Sequence, residues 1–103
     1  MIKIIRNRDV DYVIVAIPKS HKHIRVIIKL NDGTIMIFHE ATIANIVRAY
    51  VTIKTHPIIK AVKLSKRCLE ERKEGYAKYQ LLEENLPEDS ILSEVDRILS
   101  EVR

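Results

Sequence analysis

Residues 31–34 read Asn-Asp-Gly-Thr and stand between two stretches of alternating apolar residues. On the N-terminal side Ile24, Val26, Ile28 and Leu30 fall on one side of a strand, with His23, Arg25, Ile27 and Lys29 on the other. Asp-Gly supplies the positive φ angles that a tight hairpin turn demands, so residues 34–38 are expected to return as the paired strand. A connection this short permits only antiparallel pairing. Upstream, residues 2–6 alternate and read as a short first strand. Residues 10–17 are apolar on both faces apart from Asp11, as in a central strand covered on both sides. Ile14, Ile24, Val26, Ile28 and Ile37 are the expected inward residues of this sheet.

The period changes after Glu40. Ile43, Ile46, Val47, Tyr50 and Val51 recur at helical spacing, which predicts a helix over 41–54 on one face of the sheet, with Ile46, Val47 and Tyr50 inward. Pro57 stops it, because the residue before a proline is pushed out of the α region. Residues 58–64 read either as a fifth strand or as the start of the next helix, and the strand is preferred. Residues 66–84 carry Arg67–Glu71 and Glu74–Lys78 at i, i+4 spacing and predict an exposed helix. Its thin apolar stripe is Cys68, Leu69, Tyr76, Tyr79 and Leu82, with Gly75 in the middle. After Pro87 a better patterned helix spans 88–102, with Glu88 and Asp89 at its N-terminal end, where acidic groups complement the helix dipole. The class is α+β: a small antiparallel sheet of three or four strands with helices. Residues 1–84 form a basic domain and 85–103 a C-terminal amphipathic helix, packed on that domain or used for dimerisation.

Charge divides the chain as the folding pattern does. Residues 1–67 carry a net charge of +9 and residues 68–103 a net charge of −5. Fifteen of the 17 isoleucines lie in the first 60 positions, and β-branched residues fit a pleated, half-buried surface. Lys19, Lys22 and Arg25 gather at one end of the front hairpin, and Lys3, Arg25 and Lys29 share the outer face of the sheet. A basic two-stranded ribbon can enter a DNA groove and gain affinity by releasing counterions from phosphates. Only Tyr12 and Phe38 are aromatic in the first 49 residues, so stacking on single strands has little to work with.

Chemistry-bearing constellations are sparse. His21 and His23, two apart, could offer two nitrogens to one ion, but the sequence adds no Cys pair or H-E-x-x-H spacing for further ligands. The simpler reading is two solvated histidines in a polar loop. Asp9 and Asp11 could hold Mg²⁺ for phosphodiester cleavage. More simply, Asp9 is a turn residue and Asp11 an edge residue or the partner of a nearby lysine. Two glycines cannot build a phosphate-cradling loop. The one cysteine, Cys68, reads as a small hydrophobe against the core. No cofactor or metal is expected.

The final helix carries the other candidate surface: Ile91, Leu92, Val95, Ile98, Leu99 and Val102 on one face. Meeting the same helix of a second chain would bury more apolar surface than a chain of this size holds alone, and twofold dimers are the commonest oligomers. The residues therefore favour a non-enzymatic interaction module acting by protein–protein contact, self-association or both, with a homodimer expected. Binding DNA or RNA without sequence preference is the alternative, with a metal-dependent nuclease behind both. The longest apolar run, 12–17, is far short of the ~20 residues that cross a bilayer. The first residues lack a signal peptide's apolar region. A cytoplasmic location is expected.

The stretch from Arg25 through Asn31-Asp32-Gly33-Thr34 to Tyr50, an Ile-rich hairpin followed by a helix, resembles small proteins of filamentous viruses of hyperthermophilic archaea. It covers about a quarter of the chain. Low Gln, a single Cys and abundant Ile, Lys and Glu agree with a hot source. The resemblance implies an accessory protein acting by binding inside the host cell, and it carries no catalytic residue to this chain.

Overall fold

The computed structural model describes residues 1–71, 74 and 77–102. The chain forms two compact units, Met1–Ile43 and Ala44–Arg103. Two antiparallel sheets and two helices make an α+β fold.

The first unit holds a three-stranded sheet of β1 (Val10–Ala16), β2 (Arg25–Leu30) and β3 (Ile35–His39), in the order β1-β2-β3. Residues 2–6, expected as a first strand, pair with nothing in the sheet, and a 3-10 turn at Asn7–Asp9 leads into β1. Asp9 fixes that turn by accepting the Arg6 N–H at 2.8 Å.

The central strand is β2, not β1. Val26 and Leu30 of β2 are buried, Leu30 at 1% exposure. By contrast β1 is an edge strand, exposed from Asp11 to Ala16. Its doubly apolar pattern suggested a central strand, but strand order follows from pairing across the chain, which a local pattern does not encode.

The β2–β3 hairpin forms where the turn residues predict it. Leu30 N–H donates to Thr34 O at 2.9 Å and Gly33 N–H donates to Leu30 O at 3.0 Å, closing a three-residue loop. Gly33 takes the left-handed conformation, φ 93°, that glycine reaches without a Cβ penalty. The Asp32 carboxylate accepts the Thr34 N–H at 2.9 Å and pairs with Lys3. Three loop residues set Ile28 opposite Met36 and Val26 opposite Phe38. Met36 and Phe38 therefore share the β2 face of Val26, while Ile37 lies beside Ile27 on the opposite face, 61% exposed. A one-residue shift in register exchanges the faces of a strand.

Helix α1 (Glu40–Thr55) matches its expected span within a residue at each end. His56 and Pro57 terminate it, and His56 Nδ1 accepts the N–H groups of Ile58 and Ile59 at 3.1 and 3.0 Å.

The second unit departs most from expectation. No helix forms among the described residues of 66–84: β4 (Leu64–Cys68) and β5 (Tyr79–Glu83) pair antiparallel, with Leu64 opposite Glu83 and Cys68 opposite Tyr79. Gly75 and Tyr76 of the expected helix lie outside the described residues, as do Arg72, Lys73 and Arg103. No strand spans 58–64; strand structure begins at Leu64. Cys68 is exposed rather than packed. Helix α2 (Glu88–Ser100) forms as expected and ends two residues early.

Candidate interaction surface

Helix α1 turns its sides the wrong way round for a finished core. Asn45 is buried, and Thr42, Ala49, Thr52 and Ile53 on the same side are half-buried. The apolar stripe Ile46, Val47, Tyr50 and Val51 faces solvent, with Tyr50 61% exposed. The expectation that Ile46, Val47 and Tyr50 point inward is therefore corrected. Periodicity tells which residues share a face, and a stripe looks the same whether its own chain or another covers it. The overlooked signal is the small-residue series Thr42, Asn45, Ala49 and Thr52, itself at helical spacing on the opposite side.

Helix α2 is docked by one flank only. Ile91 is buried, and one turn on, Glu94 receives the Lys63 ammonium at 2.9 Å. At 100° per residue, Val95, Leu99 and Leu92 lie progressively further round the helix from that flank. These three are exposed, as is Ile98. Val102, just past the helix end, is half-buried, its N–H donating to Leu99 O at 3.3 Å. Of the six apolar residues expected to share one interface, Ile91 thus belongs to the unit's own interior.

The outer face of the three-stranded sheet is apolar at its centre and basic at its ends. Ile14, Ile27 and Ile37 line up across it, with Arg25 and Lys29 two residues either side of Ile27 on β2. The β1 and β3 residues of this face, Tyr12, Ile14, Ile35 and Ile37, are exposed, and the β2 residues are half-buried.

The five cations expected to meet phosphates are distributed unevenly. Lys3 pairs with Asp32, and Lys29 lies 3.8 Å from Asp11 with its ammonium over the Tyr12 ring. Arg25 donates to its neighbour's carbonyl, Ile24 O, at 3.1 Å. Lys19 and Lys22, in the loop between β1 and β2, are exposed and have no ion-pair partner among the described residues.

The two histidines thought able to share an ion differ in their surroundings. His23 Nδ1 sits 3.2 Å from Glu40 Oε2, while His21 donates its backbone N–H to Pro18 O at 3.1 Å. Glu40 also accepts the Ile24 N–H at 3.1 Å, which, with His23, holds its carboxyl below the ordinary carboxylate range. Among the described residues no three His, Cys, Asp or Glu side chains gather in a way that could hold a metal ion. No described helix is long and apolar enough to cross a membrane.

Three apolar surfaces thus lie open: the α1 stripe, the free flank of α2 and the outer sheet face. Contiguous exposed apolar surface beyond a few hundred Å² marks an interaction site. Compared with known proteins, the chain matches no family model, no curated protein and no solved structure.

Proposed function

We propose that the protein is a non-enzymatic accessory protein that acts by protein–protein contact and works as a homo-oligomer. The inverted α1 helix carries this reading. Four large apolar side chains at solvent and an asparagine inside is an arrangement that becomes favourable only when another surface covers the stripe. A second copy is the simplest cover, because it brings equal apolar area in a closed twofold arrangement.

The test replaces Val47 and Tyr50 by Asp and measures molar mass by light scattering alongside circular dichroism. A folded species lighter than the unsubstituted protein is the expected result. An unchanged mass removes this face from the reading.

A second reading, binding of nucleic acid without sequence preference, draws support from Lys19 and Lys22. Both are exposed in one loop and free of ion-pair partners among the described residues. Such cations gain by displacing counterions from phosphates.

A further inference from the structure

Among the described residues two take the left-handed conformation, Gly33 at φ 93° and Ser20 at φ 66°. The first is required, since a three-residue hairpin loop closes through a left-handed residue and glycine takes it without a Cβ. The second is not. Residues 17–24 join Ala16 to Arg25, which pair directly, and a connection of eight residues closes without that constraint. Yet Pro18 O accepts the His21 N–H at 3.1 Å, closing a turn whose third residue is Ser20. Lys19 does not share the positive φ, so the turn is type II, where the third position ordinarily falls to glycine or asparagine. A serine there presses its Cβ against the following carbonyl oxygen.

Strain of this kind persists at ligand clamps, where a side chain has a task that glycine cannot perform. What Ser20 has beyond glycine is a hydroxyl. Among the described residues the hydroxyls of Ser65, Ser90 and Ser100 each donate within the chain, and that of Ser20 does not. Ser20 is exposed and stands in sequence between Lys19 and Lys22, both exposed and without ion-pair partners among the described residues. Glu40, the carboxylate that meets this loop at His23, is occupied by His23 Nδ1 at 3.2 Å and by the Ile24 N–H at 3.1 Å. It leaves the two lysines their charge.

We propose that the turn is a phosphate site: the Ser20 hydroxyl donates to an oxygen of a phosphate group whose charge Lys19 and Lys22 offset. The donor set favours phosphate over carboxylate. Serine hydroxyls and lysine ammonium groups are usual partners of phosphate oxygens, lysine acting as a point charge, whereas planar carboxylates are matched by the arginine fork. No arginine stands in residues 17–24, and Arg25 turns a guanidinium nitrogen to Ile24 O. The proposal rests on the nucleic-acid reading above for the source of the phosphate, the phosphodiester backbone. It goes beyond that reading in assigning a neutral donor. A merely cationic surface has no use for the Ser20 hydroxyl, because its affinity comes from counterion release alone.

Fluorescence anisotropy with a duplex DNA probe at low salt, run beside thermal melts on the full-length chain, tests the site. Ser20→Gly keeps the turn, relieves its strain and removes the donor. It is expected to melt no lower than the unsubstituted protein yet bind about 10-fold more weakly, the loss of one hydrogen bond to a charged group. Its salt dependence is expected to stay the same, because no charge is lost. Ser20→Asn keeps a donor on a residue that tolerates left-handed φ, and is expected to restore binding. A Gly variant that binds as tightly as the unsubstituted protein, while joint Lys19→Gln and Lys22→Gln weakens binding, overturns the site and leaves the nucleic-acid reading standing. An Asn variant as weak as the Gly variant overturns the hydroxyl as donor. Should the unsubstituted protein bind no DNA, titration with inorganic phosphate followed by backbone amide shifts decides. Shifts at residues 19–22 that acetate does not reproduce uphold the phosphate site and reject nucleic acid as its source. No shifts, or the same shifts with acetate, overturn both.

Discussion

Lys63 Nζ stands 2.9 Å from Glu94 Oε2, a charge pair 31 residues apart in sequence that ties α2 to the segment leading into β4. Each partner perturbs the other in the direction a salt bridge requires. The hydrogen bond from Lys63 holds the Glu94 carboxyl below its ordinary range, and the hydrogen bond to Glu94 raises the Lys63 ammonium above its own.

The pH dependence of that pair follows from linkage. Glu94 contributes stability above its unfolded pKa, and the contribution is lost as pH falls through its lowered folded value. Lys63 contributes fully below its unfolded pKa, and its share is lost as pH rises through its raised folded value. Both side chains are more than a third exposed, so solvent screens the pair and its effect is small. Glu94→Gln should lower the melting temperature slightly at neutral pH. The gap to the unsubstituted protein should close in acid below the carboxylate range and in alkali above the lysine range. Added salt should also narrow it.

Leu30 is the most deeply buried large side chain of the first unit, and Ile37 is open. Leu30→Ala should cost ~2–5 kcal/mol, the ordinary penalty for emptying a packed site. Ile37→Ala should have little effect on the folding of a single chain. Denaturant midpoints measured at low protein concentration check both.

Gly33 has open space where a Cβ would stand, yet its φ is 93°. Gly33→Ala should therefore cost about 1 kcal/mol through backbone strain alone. Asparagine tolerates left-handed φ better than alanine, so Gly33→Asn should recover part of the loss. Thermal melts of the two variants provide the comparison.

How far the sequence could be read depended on where each signal is written. The Asp32-Gly33 turn and the 3.6-residue stripes of both helices are local, and the hairpin, α1 and α2 all stand where those patterns lie. The β4–β5 hairpin was hidden because its pairing is not local: Leu64 meets Glu83 across an intervening stretch rich in Glu, Lys and Arg. Arg67–Glu71 and Glu74–Lys78 spacings favour helix within that stretch, and tertiary pairing overrode the local preference. Burial was less legible than secondary structure. A single loop residue decides the face of Ile37, and the direction in which the Tyr50 stripe points depends on what covers it. The same limit applied to the candidate site: Lys19 and Lys22 emerge free, while the carboxylates that engage Lys3 and Lys29 come from turn and strand positions distant in sequence.

The nucleic-acid reading makes its own demand. Duplex DNA should bind at low salt with log affinity falling linearly in log salt. Replacing both Lys19 and Lys22 by Gln should reduce that slope by roughly 2, while replacing Lys3 and Lys29, already paired with carboxylates, should change it less. Mobility shifts across a salt series measure it, and no shift at low salt rejects the reading.

Sedimentation equilibrium of the full-length chain over a wide concentration range tests the self-association claim most directly. A species of twice 12.0 kDa or more that dissociates only on dilution is expected. A well-folded monomer of 12.0 kDa at every concentration would contradict it.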